Sequence, residues 1–190
     1  MFSYSCYYTD DTFNITKCLD LEVNLSSADL TNVRYMDHAF ERAAFKSINL
    51  NGQNFENLIT AKNVFSYTNS LESIDLRNLT LPKLENLYQA FYRLNWEIYN
   101  STDKYGVKDL IDVDLSTTIE DDERSSLLIT GWNFGTQAND LNLEALFEFI
   151  KVNSLDFTGW QNLDQKNSVN MKRMFAYFSI DSLNLTGIDT

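Results

Sequence analysis

Short apolar–polar–apolar triplets recur along the chain. They read Leu19-Asp20-Leu21, Ile48-Asn49-Leu50, Ile74-Asp75-Leu76, Val113-Asp114-Leu115, Leu155-Asp156-Phe157 and Leu183-Asn184-Leu185. Their starts are spaced by 29, 26, 39, 42 and 28 residues. Strict alternation marks a strand that turns its two outer residues inward and its middle one to solvent. Between the triplets runs a second pattern with offsets of three, four and seven. Val33, Met36, Ala39 and Phe40 form one set; Leu58, Ala61, Val64 and Phe65 the next; then Leu84, Leu87, Ala90 and Phe91. Leu143, Leu146 and Phe147, and Met171, Met174 and Phe175, continue it. That spacing predicts a helix of two to three turns in each unit.

A lone strand-turn-helix unit has no second layer against which to bury its apolar residues. Stacking the units provides one, so a period of this length predicts a solenoid. The expected fold is an α/β repeat solenoid, leucine-rich-repeat-like, with a parallel β-sheet on one face and short helices on the other. Residues 1–190 read as a single domain. Residues 1–18, aromatic and polar, read as an N-terminal cap, and residues 19–190 as about five repeats plus a final strand. The two long spacings predict insertions at 95–109 and 116–140.

The motif L-x-L, then a loop, then N-V-x-x-M-x-x-A/M-F resembles the BspA-type leucine-rich repeat of bacterial surface proteins. "TNVRYMDHAF" at Thr31 to Phe40 and "NSVNMKRMFAYF" at Asn167 to Phe178 carry the resemblance, and "LDFTGW" and "LNLTGIDT" resemble its strand entry. It covers roughly Leu19 to Thr190. The family often has Cys after the helix, where this chain has Ala43, Thr68, Leu94, Ile150 and Phe178. The resemblance implies a binding scaffold without shared catalytic residues.

Charge narrows the partners. The formal net charge is -12. A surface this acidic repels phosphate, which argues against direct nucleic-acid binding and against an anionic membrane face, and favours a basic protein partner. The N-terminus, "MFSYSCYYTDDTF", has neither a basic n-region nor an apolar h-region, so a cytoplasmic location is expected, with the cell surface as the alternative if the chain is an excised segment. Cys6 and Cys18 read equally as a short-loop disulfide or as two thiols.

Candidate chemistry is sparse. His38 is the single histidine and lies within the first helical pattern. "GWNFG", Gly131 to Gly135, lacks the phosphate-loop spacing and is expected to tuck Trp132 against the helical wall. No catalytic residue, metal ligand or cofactor is assigned, no enzymatic activity is expected, and a monomer is expected.

Two features remain as candidate partner contacts. The first is the column of triplet centres, Asp20, Asn49, Asp75, Asp114, Asp156 and Asn184. It reads either as an exposed acidic ladder or as local hydrogen-bonding chemistry. The second is "DLIDVDLSTTIEDDE", where Asp109, Asp112, Asp114, Glu120, Asp121, Asp122 and Glu123 stand without a basic residue. Trp96, Tyr99, Tyr105 and Trp132 lie in or near the insertions, as interface anchors or as loop padding. Together these residues suggest an intracellular, phage-type inhibitor, anti-CRISPR or anti-restriction-like, filling a basic nucleic-acid-binding groove. The alternative is a segment of a bacterial adhesin.

Overall fold

A three-residue strand is too short to stand alone, and here each one is paired in parallel with its counterpart in the next unit. The computed structural model describes residues 21–43, 45–68, 71–94, 126–186 and 188. Its strands are β1 (Glu22–Asn24), β2 (Ser47–Asn49), β3 (Ser73–Asp75), β4 (Ser126–Leu128), β5 (Asp140–Asn142), β6 (Ser154–Asp156), β7 (Ser168–Asn170) and β8 (Ser182–Asn184). One parallel sheet runs β1-β2-β3-β4, and β5 pairs with β7 and β6 with β8, also in parallel. The chain is a parallel β-solenoid of about five turns.

Within the strands the alternation is as expected. Ile48, Leu50, Ile74, Leu76, Leu155 and Phe157 are buried, and the Asp or Asn between each pair faces outward. The ends of the series differ from expectation. Val23 is in register with Ile48, so the rung beside Ile48-Asn49-Leu50, the first among the described residues, is Val23-Asn24-Leu25, where Leu19-Asp20-Leu21 was expected. Leu127 is in register with Ile74, so Leu127-Leu128-Ile129 fills the place expected of Val113-Asp114-Leu115, a triplet outside the described residues. Residues 126–140, expected inside the second insertion, instead form β4 and a corner of the regular coil.

The expected helices are absent from the described residues, where one 3-10 turn, Leu163–Gln165, is the sole helical element. Residues 36–43 show why. The Ala39 and Ala43 N–H groups donate to the Met36 and Phe40 carbonyls three residues back. Those of His38, Phe40 and Arg42 instead donate to Lys62, Val64 and Ser66 in the next coil, each at 2.9 Å. Positive φ at His38 (56°) and Arg42 (53°) turns the chain twice and prevents a helical ladder. The pattern repeats at Asn63 and Tyr67, Gln89 and Arg93, Ala145 and Phe149, and Arg173 and Tyr177. Inward side chains three and four apart are common to both conformations, so apolar spacing does not distinguish them.

The core is a set of columns along the solenoid. Phe40, Phe65, Phe91, Phe147 and Phe175 stack at 5.3 to 5.9 Å between ring centroids, with interplanar angles below 10°. Trp132 and Trp160 stack at 4.9 Å, and their indole N–H groups donate to the carbonyls of Leu76 and Ile129. Among the described residues no helix is long and apolar enough to cross a membrane.

Candidate binding surface

The outward sheet face explains the recurrent Asp and Asn. Asn24, Asn49, Asp75, Asp156 and Asn184 each accept, on Oδ1, the N–H of the residue two positions on. Each therefore closes an Asx turn where the strand ends. Asn184 Nδ2 also donates to Asp156 Oδ1 at 3.0 Å, linking adjacent coils. Asn86, Asn142 and Asn170 close the same turn at a second corner, and Asn133 at a third.

The acidic ladder is correspondingly interrupted. Leu128 stands in register with Asp75 where Asp114 was expected. Arg77 binds Asp75 through Nε at 2.9 Å and Nη2 at 2.7 Å. Burial pushes the Asp75 carboxyl up, but the Arg77 side chain, its backbone N–H and its charge outweigh this and hold the carboxyl below its usual range. Asp156 is held low by the hydroxyl and backbone N–H of Thr158. Trp132, expected as a possible interface anchor, is 2% exposed and packed in the core, so it offers a partner nothing. Asp109, Asp112, Asp114, Glu120, Asp121, Asp122, Glu123, Trp96 and Tyr99 lie outside the described residues. So do Cys6 and Cys18 and the expected cap. The described residues hold 14 of the 27 acidic side chains and 11 of the 15 Lys and Arg, so most of the negative excess lies elsewhere in the chain.

A different surface emerges on the turn segments. The two residues after each stacked Phe read Glu41-Arg42, Ser66-Tyr67, Tyr92-Arg93, Glu148-Phe149 and Ala176-Tyr177. In the solenoid the second of each pair forms one column. The Arg42 and Arg93 guanidiniums lie over the Tyr67 ring at 5.0 and 5.5 Å. Arg93 also lies over Tyr92 at 5.4 Å and Phe149 at 5.7 Å, and Tyr177 stacks on Phe149 at 4.7 Å. Arg173 pairs with the fully buried Glu148, whose hydrogen bond and charge raise the guanidinium pKa. Arg34 lies over Tyr35, which is 63% exposed. All five described tyrosines (35, 67, 88, 92 and 177) and four of the five described arginines (34, 42, 93 and 173) fall on these turn segments or the bridge preceding them. This column was legible as the residue two after each Phe, once the Phe positions were aligned.

The same side carries two ion pairs, Asp37 with Lys62 at 3.2 Å and Glu144 with Lys172 at 3.7 Å. An open depression of about 440 Å³ is lined by Ile59, Thr60, Lys62, Glu85, Asn86 and Asp140. His38 Nδ1 lies 2.9 Å from Glu41 Oε2, an exposed pair within one turn. Among the described residues no three His, Cys, Asp or Glu side chains stand together as metal ligands. No family model, no curated protein and no solved structure matches the chain.

Proposed function

We propose that the chain is a non-enzymatic protein-binding solenoid that acts by covering a partner's surface, with the tyrosine and arginine columns as its recognition face. The observation that carries the reading is the gathering of those two residue types on one side. Tyr and Arg, with Trp, are enriched in interface hot spots: Tyr buries large area while losing few rotamers, and Arg offers a planar fork of donors. Backbone pairing from coil to coil fixes the columns before a partner arrives, which lowers the entropic cost of binding. The resemblance to BspA-type repeats agrees with a binding role. The test is a pulldown with the whole chain as bait. Tyr35→Ala with Tyr177→Ala should abolish partner recovery, while Ser73→Ala with Ser154→Ala on the sheet face should leave it intact. The reverse pattern would move the binding surface to the sheet.

A second reading rests on the net charge of -12. The acidic run from Asp109 to Glu123 would engage a basic nucleic-acid-binding groove, as an anti-CRISPR or anti-restriction inhibitor does; the alternative places the chain in a cell-surface adhesin. Charge reversal of Glu120 to Glu123 separates this reading from the first, since it should leave recognition by the tyrosine and arginine face unchanged.

A further inference from the structure

The column Arg42-Tyr67-Arg93 is built in a way that selects a ligand chemistry, and this inference rests on the recognition face just described. We propose that it clamps an acidic segment of a protein partner, with the two guanidiniums taking two carboxylates. Arg42 and Arg93 approach Tyr67 from the coils on either side of it. Neither has a carboxylate within ion-pairing distance among the described residues. The nearest acids in the column beside them are already engaged, Glu41 by His38 and Glu148 by Arg173. Among the described residues two cations are therefore left without an internal acid, Arg42 exposed and Arg93 half-buried.

Spacing sets the form of the ligand. Two strand spacings separate the coils of Arg42 and Arg93, about 10 Å. An extended peptide advances about 3.3 Å per residue and turns alternate side chains to one face, so acidic residues two or four apart, on one face of a strand-like segment, bracket that distance. Each guanidinium presents a planar fork of N–H donors that matches a carboxylate.

Ring geometry favours a peptide over a sugar. Sugars stack on open aromatic faces, but guanidiniums cover the Tyr67 ring from both neighbouring coils. Phe149 is covered by Arg93 and Tyr177. Along the column Arg42 and Tyr177 are exposed and Tyr67 and Arg93 half-buried, and the Arg93 Nε is buried without a hydrogen-bond partner among the described residues. Like any tyrosine the Tyr92 phenol is a donor at neutral pH, and burial pushes its pKa higher still.

The experiment is fluorescence anisotropy with the whole chain and three labelled probes, an oligoglutamate peptide, an oligolysine peptide and a heparin oligosaccharide, at low and high salt. Oligoglutamate should bind, weaken with salt, and weaken about fivefold in R42Q, with R42K retaining part of the affinity. R93Q should weaken it too, with circular dichroism showing both variants folded. Heparin binding without oligoglutamate binding would overturn the peptide assignment in favour of an acidic glycan. Oligolysine binding alone, no binding of any probe, or an unaffected R42Q would overturn the clamp. Failure of the parent reading shows separately, as unchanged partner recovery by the Tyr35 and Tyr177 variants.

Discussion

Phe91 and Phe147 stack at 5.5 Å with rings 9° from parallel, although residues 95–125 separate their coils in sequence. The same join is made by β3 and β4, and by the Leu87 N–H donating to the Asn142 carbonyl at 2.8 Å. The described coils on either side of that segment therefore keep one register. A Phe in mid-stack such as Phe91 meets stacked rings on both sides, whereas among the described residues Phe175 stacks in parallel on Phe147 alone.

That difference gives a stability prediction. Phe91→Ala removes a fully buried ring and two stacking contacts, and should cost about 3–5 kcal/mol. Phe175→Ala should cost less, by about 1 kcal/mol for the missing stacking partner. Urea denaturation followed by far-ultraviolet circular dichroism measures both. Equal losses would mean that the stack adds nothing beyond burial of each ring.

The solenoid, its period and its inward residues were readable because they depend on alternation, which β-structure writes directly into sequence. The turn segments were misread as helices because Met36, Ala39, Phe40 and Ala43 would point inward from either conformation. What decides between them is the destination of the backbone N–H groups, and side-chain type does not encode that. The fourth rung was missed because Leu128 replaces the usual Asp or Asn. Its signal lay elsewhere, in "SLLITGW" beside "SLDFTGW". Of the two readings of the triplet centres, local hydrogen bonding holds at Asp75 and Asp156, and a misplaced rung had put Asp114 beside Asp75.

Positive φ at a side-chain-bearing residue is strained, and this fold contains many such positions. Gln89 has φ 53° and is partly exposed, so Gln89→Gly should stabilise by up to about 1 kcal/mol. Gly135 shows the opposite case. It has φ 68°, and a Cβ there would stand 2.7 Å from both Cα and Cβ of Pro82. Gly135→Ala should therefore destabilise by about 2 kcal/mol or more. Thermal melts of the two variants should shift in opposite directions, and a shared direction would contradict the turn geometry.

The Asx turns predict a specific acid response. Asp75 and Asp156, which close two of them, sit below the ordinary value of 3.8. Carboxyls with lowered folded values bind fewer protons folded than unfolded. Their stabilisation is full above that ordinary value and is lost as pH falls through the lower folded values. Asn keeps the Oδ1 acceptor, as Asn49 and Asn184 do in the same column, but does not titrate. Asp156→Asn should thus change stability little at neutral pH and flatten the acid limb. Asp156→Ala should cost about 1 kcal/mol at neutral pH by losing the turn. Chemical denaturation of the three proteins across acid and neutral pH tests both statements.

Glu148 and Arg173 form a pair whose two halves are unlike. The carboxylate is fully buried, and the guanidinium side chain is 54% exposed. Among the described residues one carboxylate oxygen takes Arg173 and the other has no hydrogen-bond partner. Removing the arginine strands a buried charge, so Arg173→Met should cost about 3 kcal/mol. Removing the acid leaves an exposed cation that water solvates freely, so Glu148→Met should cost far less. Equivalent positions in neighbouring coils hold Ser66, Tyr92 and Ala176, so the column already accepts uncharged residues. The double variant should recover most of what Arg173→Met loses. A double-mutant cycle with additive losses would show that the two groups are not coupled, and that the buried carboxylate is stabilised by something other than Arg173.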